Sequence, residues 1–511
     1  MGMSFALGLL YVAKALQKIN IEVKIFHYGI QNLNELQYDN YLFVGITMLT
    51  GDFITNGLNI ANKIKNYNTN IPIVLGGVHP SLLPEESLKN KLVDVVVIGE
   101  GEETVKELAD AMIHKKSFEN IKGIGYKNNE NKIFINPPRD FIDMEKLDID
   151  LPFELLGRHI FKSLAMPVHT SRGCPYRCGF CYNPVMNKRK YRQKSAARVV
   201  EEIEFLKKKY KVSNFYFDFD DEFFIDYRRA FEIFKIVIDK KIEIRWSSFC
   251  RFDTFVKAYN EIGQEFVDVL KKSGCYYLSL GAESGSQRML DEIIKKDIKI
   301  EQIEKTVDIL KKNKITHRVS FICCFPDEHE EDFQATLSVI DRISADNNHI
   351  VLGWFILIPL PGTSIFELLV TKHNFKAPQT LEEWGNYKMP DNSYKRITWL
   401  PHNYAKKCSA YAAIANYPFH KEFNSYNQYK EYVHSTSSAY SPNLFGYIAS
   451  KIVRYRYKNK KFHFLFEVEL CNKLTNLQFF IGKYILKKLL PNKFYQAIKI
   501  FFGYKAWIFK K

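Results

Sequence analysis

Three cysteines crowd into the run Thr170-Ser171-Arg172-Gly173-Cys174-Pro175-Tyr176-Arg177-Cys178-Gly179-Phe180-Cys181. Gly173, Pro175 and Gly179 disfavour both helix and strand, so the three thiols project from a wrapped loop. Thiolates at this spacing can each take one iron of a 4Fe–4S cubane and leave the fourth iron without a protein ligand. A metal centre with a vacant position is a place for chemistry, whereas a structural centre is closed. The competing readings are a zinc site or unligated core cysteines. Zinc asks for a fourth ligand at paired spacing, and no partner pair lies nearby in the sequence.

The elements around this loop alternate. Strand patterns at 167–170, 214–219, 242–249, 276–281, 318–323 and 350–358 are separated by helical patterns such as 197–209, 228–240, 263–272 and 301–312. Six such units fit a partial or full (β/α) barrel, whose chemistry sits at the C-terminal ends of its strands. The cysteine loop follows the first of them. Earlier in the chain, Ala6, Leu9, Leu10, Ala13 and Leu16 recur at helical spacing. Strand patterns at 21–26, 41–48, 71–75 and 93–98 then alternate with helical ones at 53–64 and 102–113, which indicates an α/β, doubly wound, flavodoxin- or Rossmann-like domain. This domain opens directly into a helix and is expected to lack its first strand. Residues 123–144 read as a hairpin and linker broken by Asn136-Pro137-Pro138. The expected organisation is 1–122, a doubly wound domain; 123–165, hairpin and linker; 166–370, the barrel; and 371–511, a helical, basic region.

The C-x3-C-x2-C spacing with an aromatic residue before the last cysteine resembles the signature of the radical S-adenosylmethionine superfamily, over about residues 167–367. The resemblance implies that the open iron chelates the methionine part of S-adenosylmethionine, and that an electron from a donor such as flavodoxin or ferredoxin releases a 5′-deoxyadenosyl radical. It also implies that Phe180 lies against the adenine. Other strand ends agree with the family. Asp218-Phe219-Asp220-Asp221 follows the second strand, Arg251 the third, and Leu280-Gly281-Ala282-Glu283-Ser284-Gly285 the fourth. By resemblance Asp218, Asp220, Arg251, Glu283 and Ser284 join Phe180 in binding S-adenosylmethionine. Pro359-Leu360-Pro361-Gly362-Thr363 is similar to a further family segment. There is one departure: where relatives show Gly-x-Pro-Gly-Glu-Thr, this chain has Cys324-Phe325-Pro326-Asp327-Glu328-His329. Cys323 and Cys324, as neighbours on a strand, are expected on opposite faces and are assigned to packing.

Thr47-Met48-Leu49 and the later Gly76-Gly77 resemble the second half of a cobalamin-binding pattern, with small residues at strand ends to admit a nucleotide tail. Val78-His79-Pro80 and Ile98-Gly99-Glu100-Gly101-Glu102-Glu103 are similar to family segments too. Together they place the chain's likeness, over about residues 4–400, with radical S-adenosylmethionine proteins that carry a cobalamin (B12)-binding domain. The resemblance implies Thr47, Leu49, Gly76 and Gly77 as cobalamin contacts and offers His79 as a substitute ligand to cobalt. The implied reaction is cobalamin-dependent methyl transfer to an unactivated carbon. The alternatives are an anaerobic oxidative cyclisation of the porphyrin-ester cyclase type and a non-catalytic cluster or cobalamin sensor.

The composition is that of a globular protein of more than one domain. Nine cysteines without regular spacing make a poor disulfide framework, which suits a reduced interior. No secretory leader opens the chain and no apolar run is long enough to span a bilayer, so a cytoplasmic location is expected. The net charge of +16 is concentrated at the end: residues 451–511 carry 15 Lys and Arg against Glu467 and Glu469. Aromatic and aliphatic residues mix with those lysines at 477–488 and 494–509, which suits either a packed cap or peripheral contact with an anionic inner membrane face. The substrate is expected to be a small or lipid-like molecule. Nucleic acid is disfavoured, because no recognition fold accompanies the charge.

Overall fold

The computed structural model of the chain describes residues 7–26, 41–157, 165–387, 396–415, 418, 420–435 and 444–459. They form two compact units. One takes in the described residues up to Trp246 and those from Ile358 to Tyr387; the other takes in Ser247–Leu357 and the described residues from Arg396 onward.

The first unit opens with the helix Leu7–Gln17 and a sheet of five strands. β1 (Val44–Thr47), β2 (Ile73–Gly76) and β3 (Val95–Val97) are parallel, and β4 (Ile124–Lys127) and β5 (Ile133–Ile135) add an antiparallel hairpin, in the spatial order β1-β2-β3-β4-β5. The run Val95-Val96-Val97 is wholly buried, as a parallel strand covered on both faces must be. The helix Asp52–Tyr67 buries Ile54, Leu58, Ala61 and Ile64 along one stripe. Gly57 lies on the same stripe, where a Cβ would stand 2.4 Å from Met48 Cε, so the missing side chain lets the helix settle beside β1. Leu16, Val105 and Leu108 from two helices close a core with Val95, Val97 and Ile124.

Residues 21–26, expected as a strand, lie outside helix and strand. Ile21 and Val23 do pack against this core, so the apolar alternation is real, but the segment is not laddered into the sheet. The other expected elements of this region form within a few residues of their expected bounds.

The same unit continues into β6 (Met166–Pro167), β7 (Ser171–Arg172), β8 (Arg192–Gln193) and β9 (Asn214–Tyr216). β6 and β9 are parallel, while β7 and β8 form a short antiparallel clasp. The helices Ala196–Tyr210 and Tyr227–Asp239 start where Ser195 and Asp226 accept the amides of Arg198 and Arg229. Phe217, Phe223, Phe234 and Trp246 fill the interior, with the Phe234 and Trp246 rings stacked at 4.0 Å. Within β10 (Arg245–Cys250) the chain passes from this unit to the next.

In the second unit β11 (Cys275–Glu283), β12 (Thr316–Cys323) and β13 (Ile350–Ile356) pair in parallel, with Leu280 opposite Val319 and Val319 opposite Leu352. The helices Phe252–Ile262, Gln264–Lys272, Ile300–Lys312 and Glu330–Ser344 connect them, the alternation expected of a βα barrel segment. The helices His402–Ile414, Tyr426–Ser435 and Leu444–Lys458 follow. Phe333, Trp354 and Tyr411 meet between β13 and the first of these. Residues 477–488 and 494–509, read above for membrane contact, lie outside the described residues. No helix among the described residues is long and apolar enough to cross a membrane.

Candidate active site

The cysteine loop leaves β7 through Gly173, whose φ is +84°. A Cβ at this position would stand 2.0 Å from the Lys190 carbonyl oxygen, so only glycine fits and the first turn of the loop is fixed by sterics. The Gly173 amide donates to Asp221 Oδ2 at 2.7 Å. Further on, the Cys181 amide donates to the Cys178 carbonyl at 3.1 Å, and the Asn183 amide to Cys181 Sγ at 3.4 Å. Cys174, Cys178 and Cys181 are all half-buried. Burial pushes the Cys181 thiol up to about 12; the Asn183 amide opposes this, and Cys178, Asp221 and Cys174 add negative charge. An iron bound there would have to displace that proton.

The strand before the loop is held by charges that the motif alone does not reveal. Arg172 donates Nη2 to Glu102 at 2.6 Å, lies 3.2 Å from Glu100, and covers the Tyr11 ring at 5.0 Å. Arg192, on β8, reaches Glu100 at 2.9 Å. Burial disfavours the Glu100 carboxylate, but Arg172, Arg192 and the Ile142 amide outweigh it and hold the carboxyl below its ordinary range. Glu100 and Glu102 belong to the segment after β3, so the mouth of the cysteine loop is clamped to the sheet domain within one unit. The only sequence signal for the clamp was the likeness of 98–103 to a family segment.

The acidic strand end divides its labour. Asp220 is buried and accepts the amides of Thr170 at 2.7 Å and Ser171 at 3.1 Å, the Ser171 hydroxyl at 2.7 Å, and the Thr170 hydroxyl. Arg229, also buried, donates to the carbonyls of Thr170 and Lys194 at 3.1 and 2.9 Å. Asp220 therefore orients the strand that carries the cysteines. Asp218 is exposed, yet protein crowds it enough that desolvation, with the nearby Asp220 charge, pushes its carboxyl up to about 6. Accessibility together with crowding is the character of a side chain in a depression. Phe180, between Cys178 and Cys181, is half-buried.

In the second unit Arg251 and Glu283 are joined through Lys296. Arg251 donates Nη2 to the Lys296 carbonyl at 2.6 Å and Nε to Asp253 at 2.9 Å, and Lys296 Nζ donates to Glu283 at 2.7 Å. Glu283 itself has φ +63°, at an irregularity where β11 shifts register against β12. A Cβ on Gly281 would lie 2.1 Å from Glu283 Oε1, so that glycine makes room for the pair. Ser284 is buried, its hydroxyl 3.3 Å from that of Thr336.

At the ends of β1 and β2 the small residues are in place. Beside Gly76 a Cβ would meet nothing within 4 Å, whereas at Gly77, φ +97°, it would stand 2.8 Å from the Met48 carbonyl and 2.9 Å from Thr47 Oγ1. Thr47 and Gly77 are therefore in close approach, and Leu49 beyond them is 42% exposed. His79 lies in the short helix Val78–Leu82 and is fully buried. Its Nδ1 meets Thr50 Oγ1 at 3.0 Å, its ring packs edge-on to Trp384 at 5.4 Å, and its Nε2 has no hydrogen-bond partner among the described residues. Burial lowers it to about 4, so the imidazole is neutral.

The expected opposite facing of Cys323 and Cys324 is not found. β12 ends at Cys323, and Cys324 turns to φ +65°, which breaks the strand alternation and brings the two sulfurs to 3.9 Å. Cys324 and Asp327, matched above to two glycines of the family pattern by resemblance, both adopt positive φ, +65° and +55°, the backbone form that favours glycine.

Comparison with known proteins fits this arrangement. Residues 168–340 match the model of the Radical SAM superfamily, and residues 3–109 match that of the B12 binding domain. The chain is 32% identical over 335 residues to an uncharacterized methyltransferase of Pyrococcus horikoshii, a match covering 65% of this chain and 70% of that one. It is 27% identical over 331 residues to the anaerobic magnesium-protoporphyrin IX monomethyl ester cyclase of Rubrivivax gelatinosus, with 61% of this chain and 57% of the cyclase covered. The solved structure of the radical S-adenosylmethionine methyltransferase TsrM from Kitasatospora setae, with cobalamin and a 4Fe–4S cluster bound, matches at a TM-score of 0.60 and 19% identity over 73% of each chain. That last likeness is one of fold: an α/β chain with the B12-binding domain first and the radical domain after it.

Proposed function

We propose a function from one premise: the chain belongs to the radical S-adenosylmethionine family that carries a B12-binding domain. It is a radical enzyme whose cofactors are a 4Fe–4S cluster, S-adenosylmethionine and cobalamin. Our reading of its reaction is methyl transfer to an unactivated carbon of a small-molecule substrate. When bound, the cluster with S-adenosylmethionine supplies a 5′-deoxyadenosyl radical, and cobalamin supplies a methyl group.

The chain's own residues position these groups. Cys174, Cys178 and Cys181 would hold the cluster, on a loop whose start is fixed by Gly173 and Asp221. Phe180 would face the adenine. Asp218, Arg251, Glu283 and Ser284 would give S-adenosylmethionine its polar contacts, with Lys296 orienting both Arg251 and Glu283. Asp220 acts one step back, as a positioning residue for Thr170 and Ser171. Thr47, Leu49, Gly76 and Gly77 would line the cobalamin tail. His79, which the resemblance offers as a ligand to cobalt, is buried against Trp384 and meets Thr50.

The observation that carries this reading is the clamp from Glu100 and Glu102 to Arg172, because it fixes the cysteine loop to the domain that matches a B12-binding fold. A second reading, oxidative ring closure, draws on the likeness to the Rubrivivax cyclase. An electron donor such as flavodoxin or ferredoxin, and a lipid-like substrate met at a membrane, remain parts of the proposal. Anaerobic holoenzyme incubated with methyl-deuterated S-adenosylmethionine and a low-molecular-weight cell extract tests it. Labelled product with S-adenosylhomocysteine is expected; 5′-deoxyadenosine without label in any product would favour ring closure instead.

A further inference from the structure

A second group of thiols stands apart from the cysteine loop. Cys323 at the end of β12, Cys324 after it, and Cys408 on the helix His402–Ile414 are all buried, and their sulfurs lie within 4.8 Å of one another. It is the one group of three or more potential metal-ligating side chains gathered so closely among the described residues.

We propose that Cys323, Cys324 and Cys408 form a mononuclear site for a thiophilic d10 cation, with zinc as its probe, which ties the helix His402–Ile414 to the end of β12.

The distances admit an ion and exclude a disulfide. Thiolates about 2.3 Å from a shared zinc stand ~3.8 Å apart in tetrahedral geometry and ~4.0 Å apart in a trigonal plane. Cys323 and Cys324 stand at 3.9 Å and all three sulfurs lie within 4.8 Å of one another, so a shared ion would need to draw them in by less than about 1 Å. A disulfide needs sulfurs near 2 Å, roughly half that separation. The backbone is what gathers the thiols. Cys324 holds φ +65°, a conformation costly for any residue with a Cβ and free for glycine. The strain is kept in place by its neighbours: Glu328 accepts the amides of Cys324 at 2.6 Å and Phe325 at 3.2 Å, and Trp399 donates its indole N–H to the Cys324 carbonyl at 2.9 Å. Strain maintained in this way is a mark of a functional position.

The three sulfurs are the donors that the pocket offers a cation. Trp354, 5% exposed, turns its indole N–H toward Cys323. Soft cations prefer such a donor set to carboxylate or water. Binding needs no oxidant or reductant: each thiol gives its proton to solvent and the cation takes its place.

The test uses the full chain, loaded anaerobically with iron and sulfide and then equilibrated with zinc against a competing chelator. One zinc per chain is expected to remain, with a zinc-edge absorption spectrum that shows three sulfur neighbours. The same zinc should persist when Cys174, Cys178 and Cys181 are all alanine. Cys324→Gly, which relieves the left-handed strain and so preserves the fold, should abolish it, as should Cys408→Ser. Zinc retained undiminished in Cys324→Gly, no zinc retained by the wild-type chain, or a disulfide among the three in anaerobic protein would each overturn the proposal.

Discussion

Arg172 and Glu102 share a hydrogen bond of 2.6 Å, although 70 residues separate them in the chain. Arg172 lies two positions before Cys174, and Glu102 opens the helix Glu102–Ile113, where a carboxylate is also favoured by the helix dipole. Both side chains are nearly inaccessible, at 12% and 9% exposure. The pair thus couples the geometry of the cysteine loop to the integrity of the sheet domain.

Arg172→Ala leaves Glu102 buried without its cation and half-buried Glu100 with Arg192 alone. Removing one member of a buried pair costs about 3–5 kcal/mol. Denaturant unfolding should show a loss of that size, together with reduced iron uptake. A loss of less than about 1 kcal/mol would mean that the pair behaves like one at the surface.

Gly173→Ala should act on the loop rather than on the fold. Its Cβ would collide with the Lys190 carbonyl 2.0 Å away, so the loop must shift as it leaves β7. Most of the cluster iron should be lost after reconstitution, while far-ultraviolet circular dichroism stays unchanged. Full iron content in this variant would show that the loop tolerates the displacement.

Much of this was legible in the sequence, for identifiable reasons. The 102–113 helix and β12 follow from local periodicity, which tertiary contacts reinforce. The cysteine loop was legible because its spacing is itself the chemistry. Residues 21–26 misled because an apolar alternation records burial and not pairing. The Arg172 clamp was hidden, since nothing local distinguishes a buried arginine from a solvated one. The cysteine trio was hidden twice: Cys408 lies far along the chain, and the positive φ of Cys324 overturns the alternation that separates neighbours on a strand.

Acid should destabilise the protein through His79. Burial lowers its folded value from 6.5 to about 4, so as pH falls the unfolded chain takes up this proton first. Its contribution therefore erodes from pH 6.5 toward pH 4, by on the order of 3 kcal/mol once both states are protonated. His317, also lowered to about 4 by burial, acts in the same direction. His79→Gln should flatten the pH dependence of the unfolding midpoint in this window without abolishing it. An unchanged slope would place His79 in contact with solvent.

Glu283→Gln tests the binding role proposed for this carboxylate. A hydrogen bond to a charged group contributes about 1.5–3 kcal/mol, so the Kd for S-adenosylmethionine on reconstituted protein should rise roughly tenfold or more. An unaltered Kd would remove Glu283 from the site and leave its pairing with Lys296 a matter of folding.

The central claim is that Cys174, Cys178 and Cys181 hold a cluster that activates S-adenosylmethionine. Anaerobically reconstituted protein, reduced with dithionite and given S-adenosylmethionine, should show the electron paramagnetic resonance of a reduced 4Fe–4S centre, changed in shape by the cofactor, and should release 5′-deoxyadenosine. With alanine at all three positions both signals should vanish. A wild-type chain without the resonance, or a triple variant that still made 5′-deoxyadenosine, would contradict the account.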